Sequence, residues 1–163
     1  IYEGTTGIQS MDLLGRKVTM DQGVALTYLS AEIGKSITKA MAMEGLNSYA
    51  QTLGGKTELM KKVLGYLMGY AGKGNYERFL ADATVFMDFF GNILVGWLWL
   101  DMAIQAEKAL SEGATTHSEA FFKSKIHAMK FYYTYELPKS EAQAEILLNR
   151  ANLTVSVEEG LFD

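Results

Sequence analysis

The chain has 163 residues, enough for one domain with a sizeable core. Hydrophobic residues make up 48% and charged residues 21%, and 1 Pro stands against 16 Gly, which excludes collagen-like, Pro-rich and charge-dominated disordered classes. A net charge of -4 without a basic stripe argues against a nucleic-acid partner. Because Cys is absent, disulfides and thiolate sites are excluded, and we expect a protein of the reducing cytoplasm.

The sequence predicts no targeting or membrane-spanning segment. It opens without Met and without the charged start and apolar core of a signal peptide, so we expect a piece of a longer protein. The most apolar stretch, residues 86–104, is interrupted by Asp88, Asn92 and Asp101. What remains uninterrupted is shorter than the ~20 residues that cross a bilayer.

Apolar residues recur at helical spacing along most of the chain. Leu26, Leu29, Ile33 and Ile37 follow steps of three and four, and the register then slips before Gly45, which fits either one long helix or two helices joined there. No alternating run of strand length competes with these patterns. The predicted helices are residues 7–18, 20–53, 57–72, 76–112, 116–137 and 140–151.

Start and stop signals support these helices. Four pairs match the capping box, in which a hydroxyl accepts from a backbone N–H three residues on: Thr6 with Gln9, Thr19 with Gln22, Thr116 with Glu119, and Ser140 with Gln143. The predicted stops are Gly54-Gly55, Gly72 with Gly74, Gly113 and Pro138. Helices of ~35 residues would be ~50 Å long, so the predicted fold is all-α, an elongated antiparallel up-and-down helical bundle.

No metal site is predicted. A di-iron bundle needs Glu-x-x-His on two helices, but His117 and His127 are preceded three positions earlier by Ala114 and Ser124. We interpret both histidines as structural.

Two other patterns have ordinary packing interpretations. Gly65 and Gly69, four residues apart, would let another helix approach closely. An aromatic concentration could line an acyl pocket or a subunit interface, but large aromatics at helical spacing usually form core. Its members are Phe86, Phe89, Phe90, Trp97 and Trp99.

The N-terminal segment carries the strongest functional signal. Glu3 to Gly7 is a turn-forming run that places a carboxylate just ahead of a helix N-terminus, where orphan N–H groups favour an anionic ligand. Gly4 has no Cβ, so another molecule can approach the adjacent Glu3 closely. Helix capping alone would also explain this run.

The same segment resembles a known signature. Tyr2-Glu3-Gly4-Thr5-x-x-Ile8-Gln9, followed by Asp12-Leu13-Leu14-Gly15-Arg16-Lys17, is similar to a stretch near the C-terminus of acyl-CoA dehydrogenases, flavoenzymes that oxidise the Cα–Cβ bond of acyl-CoA thioesters. The remainder is similar in character to the helical extension of one branch of that family. The resemblance therefore divides the chain into residues 1–19, the end of a catalytic domain, and residues 20–163, a helical-bundle domain.

The resemblance implies roles for individual residues. Glu3 matches the base that removes the α-proton, and Gly4 matches the position against the substrate. Thr5, Thr6 and Gly7 match the stretch that touches FAD. Arg16 could reach coenzyme A or lie on a solvated helix face.

The implied protein is the C-terminal fragment of an FAD-dependent acyl-CoA dehydrogenase that forms homo-oligomers. We do not expect the fragment alone to be active or to bind FAD tightly, because the walls of the active site would come from upstream residues. A non-catalytic helical interaction module is the alternative, since long helices and nine Met also suit partner binding. The sequence does not determine the electron acceptor or the acyl chain of the substrate. That acyl chain could be as unusual as methylthiopropanoyl.

Overall fold

The computed structural model describes residues 4–113, 116–151, 153–157 and 160–161, which fold as helices packed around one core. The helices are α1 (Thr6–Asp12), α2 (Val24–Met41), α3 (Asn47–Ala71), α4 (Tyr76–Leu80), α5 (Ala83–Ser111), α6 (Glu119–Tyr135) and α7 (Lys139–Leu147). A π-helical turn, Leu13–Lys17, follows α1, and a 3-10 turn, Met20–Gly23, precedes α2. The described ranges contain no β-strand, and the predicted all-α bundle is confirmed.

Helix α5 is the centre of the bundle, because α1, α2, α3, α6 and α7 all pack against it. It is also the longest described helix, with 29 residues, so the expected length of ~35 residues is not reached. The largest fully buried side chains come from most of the elements: Leu14, Ile33, Leu53, Met60, Phe86, Phe89, Met129 and Leu137. These contacts between distant segments hold the fold together.

The predicted helix 20–53 is wrong as a single element, and the alternative of a joint near Gly45 is correct. Helix α2 ends at Met41 and α3 begins at Asn47. The predicted stop at Gly54-Gly55 is also wrong, because both glycines lie inside α3. Buried Leu53 and Met60 continue the core-facing stripe across them, and burying each such side chain is worth ~1.5–3 kcal/mol against a helix cost of ~0.5–1 kcal/mol per Gly.

The predicted helix 76–112 is interrupted between α4 and α5. At this break Arg78, only 4% exposed, donates from Nη1 to Asp82 at 3.1 Å and from Nη2 to the carbonyl of Asn149 at 2.6 Å. Its Nε has no hydrogen-bond partner within the described part of the chain. The break therefore places a buried cation where it binds both its own turn and the segment after α7.

The four predicted capping boxes are wrong. Thr19 and Ser140 each donate backwards to a carbonyl of the preceding turn instead of capping a helix start. The side-chain caps that the structure shows are Asn75, which accepts from the N–H of Arg78 at 3.1 Å, and Ser118, which accepts from the N–H of Phe121 at 3.2 Å. Local spacing identified hydroxyls near helix starts but not the residue at which each helix begins.

The aromatic concentration on α5 lies mainly in the core, as predicted. Phe86, Phe89 and Phe90 are buried, and the Phe86 and Phe90 rings stack with centroids 5.7 Å apart. Trp97 is half-buried and donates from Nε1 to Ser36 Oγ at 3.0 Å. These side chains therefore pack within the core or against neighbouring helices.

Helix α5 meets the length and hydropathy criteria for a membrane span, the one described helix that does. Two polar residues that interrupt its apolar run bond within the bundle. Asn92 donates to Gln143 at 2.9 Å, and Asp101 accepts from Ser36 at 3.0 Å. Both side chains therefore attach α5 to other helices of the bundle.

We expect substitution by Ala to change the stability in opposite directions at two helical glycines, Gly96 and Gly69. A Cβ at Gly96 would lie 3.1 Å from Cδ1 of the fully buried Leu137, so Gly96→Ala is expected to lower the free energy of unfolding by about 1 kcal/mol, as overpacking exceeds the gain in helix propensity. At Gly69 a Cβ meets no atom of the described residues within 4 Å, so among them the predicted close helix approach at Gly65 and Gly69 is wrong. Gly69→Ala should therefore stabilise by about 0.5–1 kcal/mol. Urea denaturation of both variants checks this, and equal stabilisation by both would contradict it.

Candidate functional site

The signature segment forms the exposed start of α1. Gly4, Thr5, Thr6 and Gly7 are all exposed, and a Cβ at Gly7 would meet no atom of residues 4–113 or the other described ranges within 4 Å. Thr5 precedes the first helical residue, and its carbonyl accepts from the N–H of Gln9 at 2.8 Å. The predicted base Glu3 lies outside the described residues. The four described positions are therefore accessible to another molecule.

A few buried contacts fix the position of α1. Ser10 is buried, donates to the carbonyl of Gly7 at 2.9 Å, and lies 3.2 Å from the hydroxyl of Thr84 at the start of α5. One turn later the fully buried Leu14 enters the core within the π-helical turn. The core thus holds one side of α1, while Gly4 to Gly7 face outward.

Arg16 lies on the solvated face of the signature segment. Its Nη2 donates to Asp12 Oδ2 at 2.8 Å, and both side chains are exposed. This hydrogen bond lowers the pKa of Asp12 and raises the pKa of Arg16. With its guanidinium paired to a neighbour on the same helix, Arg16 fits the solvated-face interpretation.

A buried lysine that the sequence did not single out, Lys56, lines a cleft away from the signature segment. The cleft, about 580 Å³, lies between α3 and α7, and its lining includes Lys56, Leu59, Glu141 and Leu148 but none of the signature residues. Lys56 is buried and donates to Glu141 Oε1 at 2.6 Å. A lysine in the middle of an apolar stripe was the signal that could have revealed this pair.

This ion pair makes the stability depend on pH. The hydrogen bond from Lys56 holds the pKa of Glu141 below its ordinary value. The pair therefore stabilises the fold above the unfolded-state pKa, and its contribution is lost as the pH falls through the lower folded-state pKa. Because the Glu141 side chain is exposed, we expect the ion pair to contribute under about 1 kcal/mol to the free energy of unfolding at pH 7. Urea denaturation should show Glu141→Gln less stable than the wild type at pH 7, and this difference in stability should shrink as the pH falls below the ordinary pKa of a glutamate. A constant difference would contradict this.

Metal-ligating residues do not cluster in the described part of the chain, where no group of three or more His, Asp or Glu could hold an ion. His117 instead packs against Phe121, with ring centroids 4.3 Å apart, and His127 is exposed.

A family model described as "Acetyl-CoA dehydrogenase C-terminal like" matches residues 29–158, most of the chain. The chain belongs to this acyl-CoA dehydrogenase C-terminal family. The family match begins after the signature segment and covers α3 to α7 in full.

Three relatives of this acyl-CoA dehydrogenase C-terminal chain carry enzyme names. The broad-specificity linear acyl-CoA dehydrogenase FadE5 of Mycobacterium tuberculosis is 28% identical over 99% of this chain. A butyryl-CoA dehydrogenase of Syntrophomonas wolfei is 29% identical over 85%, and a 3-methylmercaptopropionyl-CoA dehydrogenase of Ruegeria pomeroyi is 30% identical over 88%. The chain spans 27%, 23% and 24% of these relatives, about a quarter of their length.

Proposed function

We propose that this chain is the C-terminal part of an FAD-dependent acyl-CoA dehydrogenase that oxidises the Cα–Cβ bond of an acyl-CoA thioester. The observation that carries the proposal is the FadE5 similarity, which covers 99% of the chain and so includes the signature segment as well as the bundle. The three relatives all bear dehydrogenase names, which favours an enzyme over a non-catalytic interaction module. Their names cover different acyl groups, so the proposal leaves the acyl chain open.

In the proposed mechanism, Glu3 accepts the α-proton of the thioester, and its carboxylate becomes a carboxylic acid. Gly4 lets the acyl group approach, because it has no side chain. FAD, when bound, supplies the acceptor for the hydride that leaves the β-carbon. Thr5, Thr6 and Gly7 fit contact with such a group, since all three are exposed and space is open at Gly7.

The proposal also assigns roles to the two parts of the chain. Residues 1–19 would complete the active site of the parent enzyme, and residues 20–163 would form a bundle for packing or homo-oligomerisation. The start of the family match at residue 29 supports this division. By itself the chain would neither bind FAD tightly nor oxidise acyl-CoA, because described residues 4–7 lie open at the surface rather than within an enclosed pocket.

The test is an anaerobic titration of the purified full-length protein with acyl-CoA thioesters of graded chain length. We expect the protein to carry FAD and its visible absorbance to bleach with at least one straight-chain thioester. A full-length protein without flavin, or with a flavin that no thioester bleaches, would overturn the proposed activity.

A further inference from the structure

A mostly apolar stripe on α5 is only partly covered by the described part of the bundle. Asp88, Gly91, Val95, Leu98 and Met102 follow steps of three and four, which places them along one side of the helix. Val95, Leu98 and Met102 are 40%, 50% and 40% exposed. A Cβ at Gly91 would meet no atom of the described part of the chain within 4 Å. We call these five residues the α5 stripe.

Neighbouring helices flank this stripe without covering it. On one flank, α2 reaches α5 through Ser36, which donates to Asp101 at 3.0 Å. On the other flank, α6 reaches α5 through Tyr133, which donates to the carbonyl of Gly96 at 3.1 Å. The α5 stripe lies between these two contacts. Its apolar side chains therefore face outward, whereas similar side chains elsewhere on α5 lie in the core.

Helix α1 lies at one end of the α5 stripe. Thr84 precedes Asp88 by one turn on the same side of α5, and its hydroxyl is 3.2 Å from that of Ser10 on α1. The outer side of α1 also exposes apolar residues, with Ile8 64% and Met11 47% exposed. A polypeptide that precedes α1 would therefore join the bundle near the Thr84 end of α5, one turn before the α5 stripe begins.

We propose that the α5 stripe is the docking surface for the part of the parent chain that precedes residue 1. This inference rests on the proposed function in one respect, that the parent has the length of its relatives, of which this chain spans about a quarter. A segment tethered beside α1 faces the stripe at an effective concentration on the order of millimolar, which favours it over a second copy in dilute solution. A lipid surface is disfavoured, because the stripe carries an acidic residue, Asp88, and no basic one.

Thiol labelling tests whether the stripe is covered. The 163 residues contain no Cys, so Leu98→Cys adds one thiol to this part of the full-length protein, and mass spectrometry of its peptide isolates that thiol from any upstream. The control is Lys108→Cys, at an exposed position in the last turn of the same helix. We expect maleimide to modify Leu98→Cys at least about tenfold more slowly than Lys108→Cys in the folded protein, and equally fast in urea. Equal rates in the folded protein would overturn the proposal.

Photocrosslinking from position 98 identifies what covers the stripe. With p-benzoylphenylalanine in place of Leu98, we expect an intrachain link to a peptide upstream of residue 1. A link between two copies, no intrachain link, or thiol protection that arises only with phosphatidylglycerol vesicles would overturn the proposal. A full-length protein whose flavin is bleached by acyl-CoA but whose Leu98→Cys labels rapidly would refute the docking and leave the proposed activity standing.

Discussion

Glu3→Gln in the full-length protein is expected to slow the bleaching of the flavin by acyl-CoA by roughly 10²- to 10⁴-fold, the range that a positioned general base contributes. The amide keeps the size of the carboxylate but cannot accept the α-proton. A carboxylate with its ordinary pKa, near ~4, is a poor base for a C–H proton in water, so the parent active site must raise that pKa by desolvation. Stopped-flow absorbance under anaerobic conditions measures the rate.

Two controls separate a lost base from a damaged protein. Glu58→Gln makes the same chemical change at an exposed carboxylate on α3, which pairs with Lys61 at 2.7 Å, and should leave the bleaching rate unchanged. The Glu3→Gln protein should retain its FAD, and dithionite should still reduce it. If Glu3→Gln bleaches as fast as the wild type, the assignment of the base is wrong, although the family membership stands.

Phe86→Ala is expected to lower the free energy of unfolding of the 163-residue chain by about 3–5 kcal/mol. The Phe86 side chain is fully buried on α5, between Phe90 at 5.7 Å and Phe89 at 6.5 Å between ring centroids. Removing the ring loses its burial and leaves a cavity that the close-packed neighbours fill only in part. Because a small domain has only ~5–15 kcal/mol of stability in total, this loss would be a large fraction of it.

The matched control is Phe131→Ala on α6. Phe131 is 53% exposed and packs against Tyr135 with ring centroids 4.9 Å apart, so its removal should cost within about 1 kcal/mol. Urea denaturation followed by far-UV circular dichroism compares the two variants. Equal losses would show that the core does not lie where the structure places it, and a small loss at Phe86 would show that the site collapses after truncation.

Helical periodicity predicted the bundle well because core-facing residues repeat every three or four positions on any helix that packs by one side. The slip before Gly45 marked a true joint, since α2 ends at Met41 and α3 begins at Asn47. The Gly54-Gly55 pair, in contrast, led to a wrong prediction of a helix stop. Turn propensity is a preference of about 1 kcal/mol, and continuous burial on either side of these glycines exceeds it.

The family resemblance gave a more specific prediction of the candidate site than the properties and spacing of its residues did. Gly4 to Gly7 could be assigned roles residue by residue, but their spacing alone is equally typical of a helix cap. The structure adds that these positions are exposed and that the core holds α1 from its other side through Ser10 and Leu14. Chemistry that depends on a cofactor and a substrate enclosed by other residues cannot be predicted from one edge of the pocket.

By itself the sequence determined that the protein is helical and where most apolar sides lie, because these follow from intervals of three and four residues. Tertiary structure alone decided that Arg78 is buried against Asn149, and that the α5 stripe is left partly open. Each of these depends on segments that are far apart in the chain, and packing between them has no local pattern. Spacing shows which side of a helix is apolar, whereas only the positions of the other helices decide whether that side is covered.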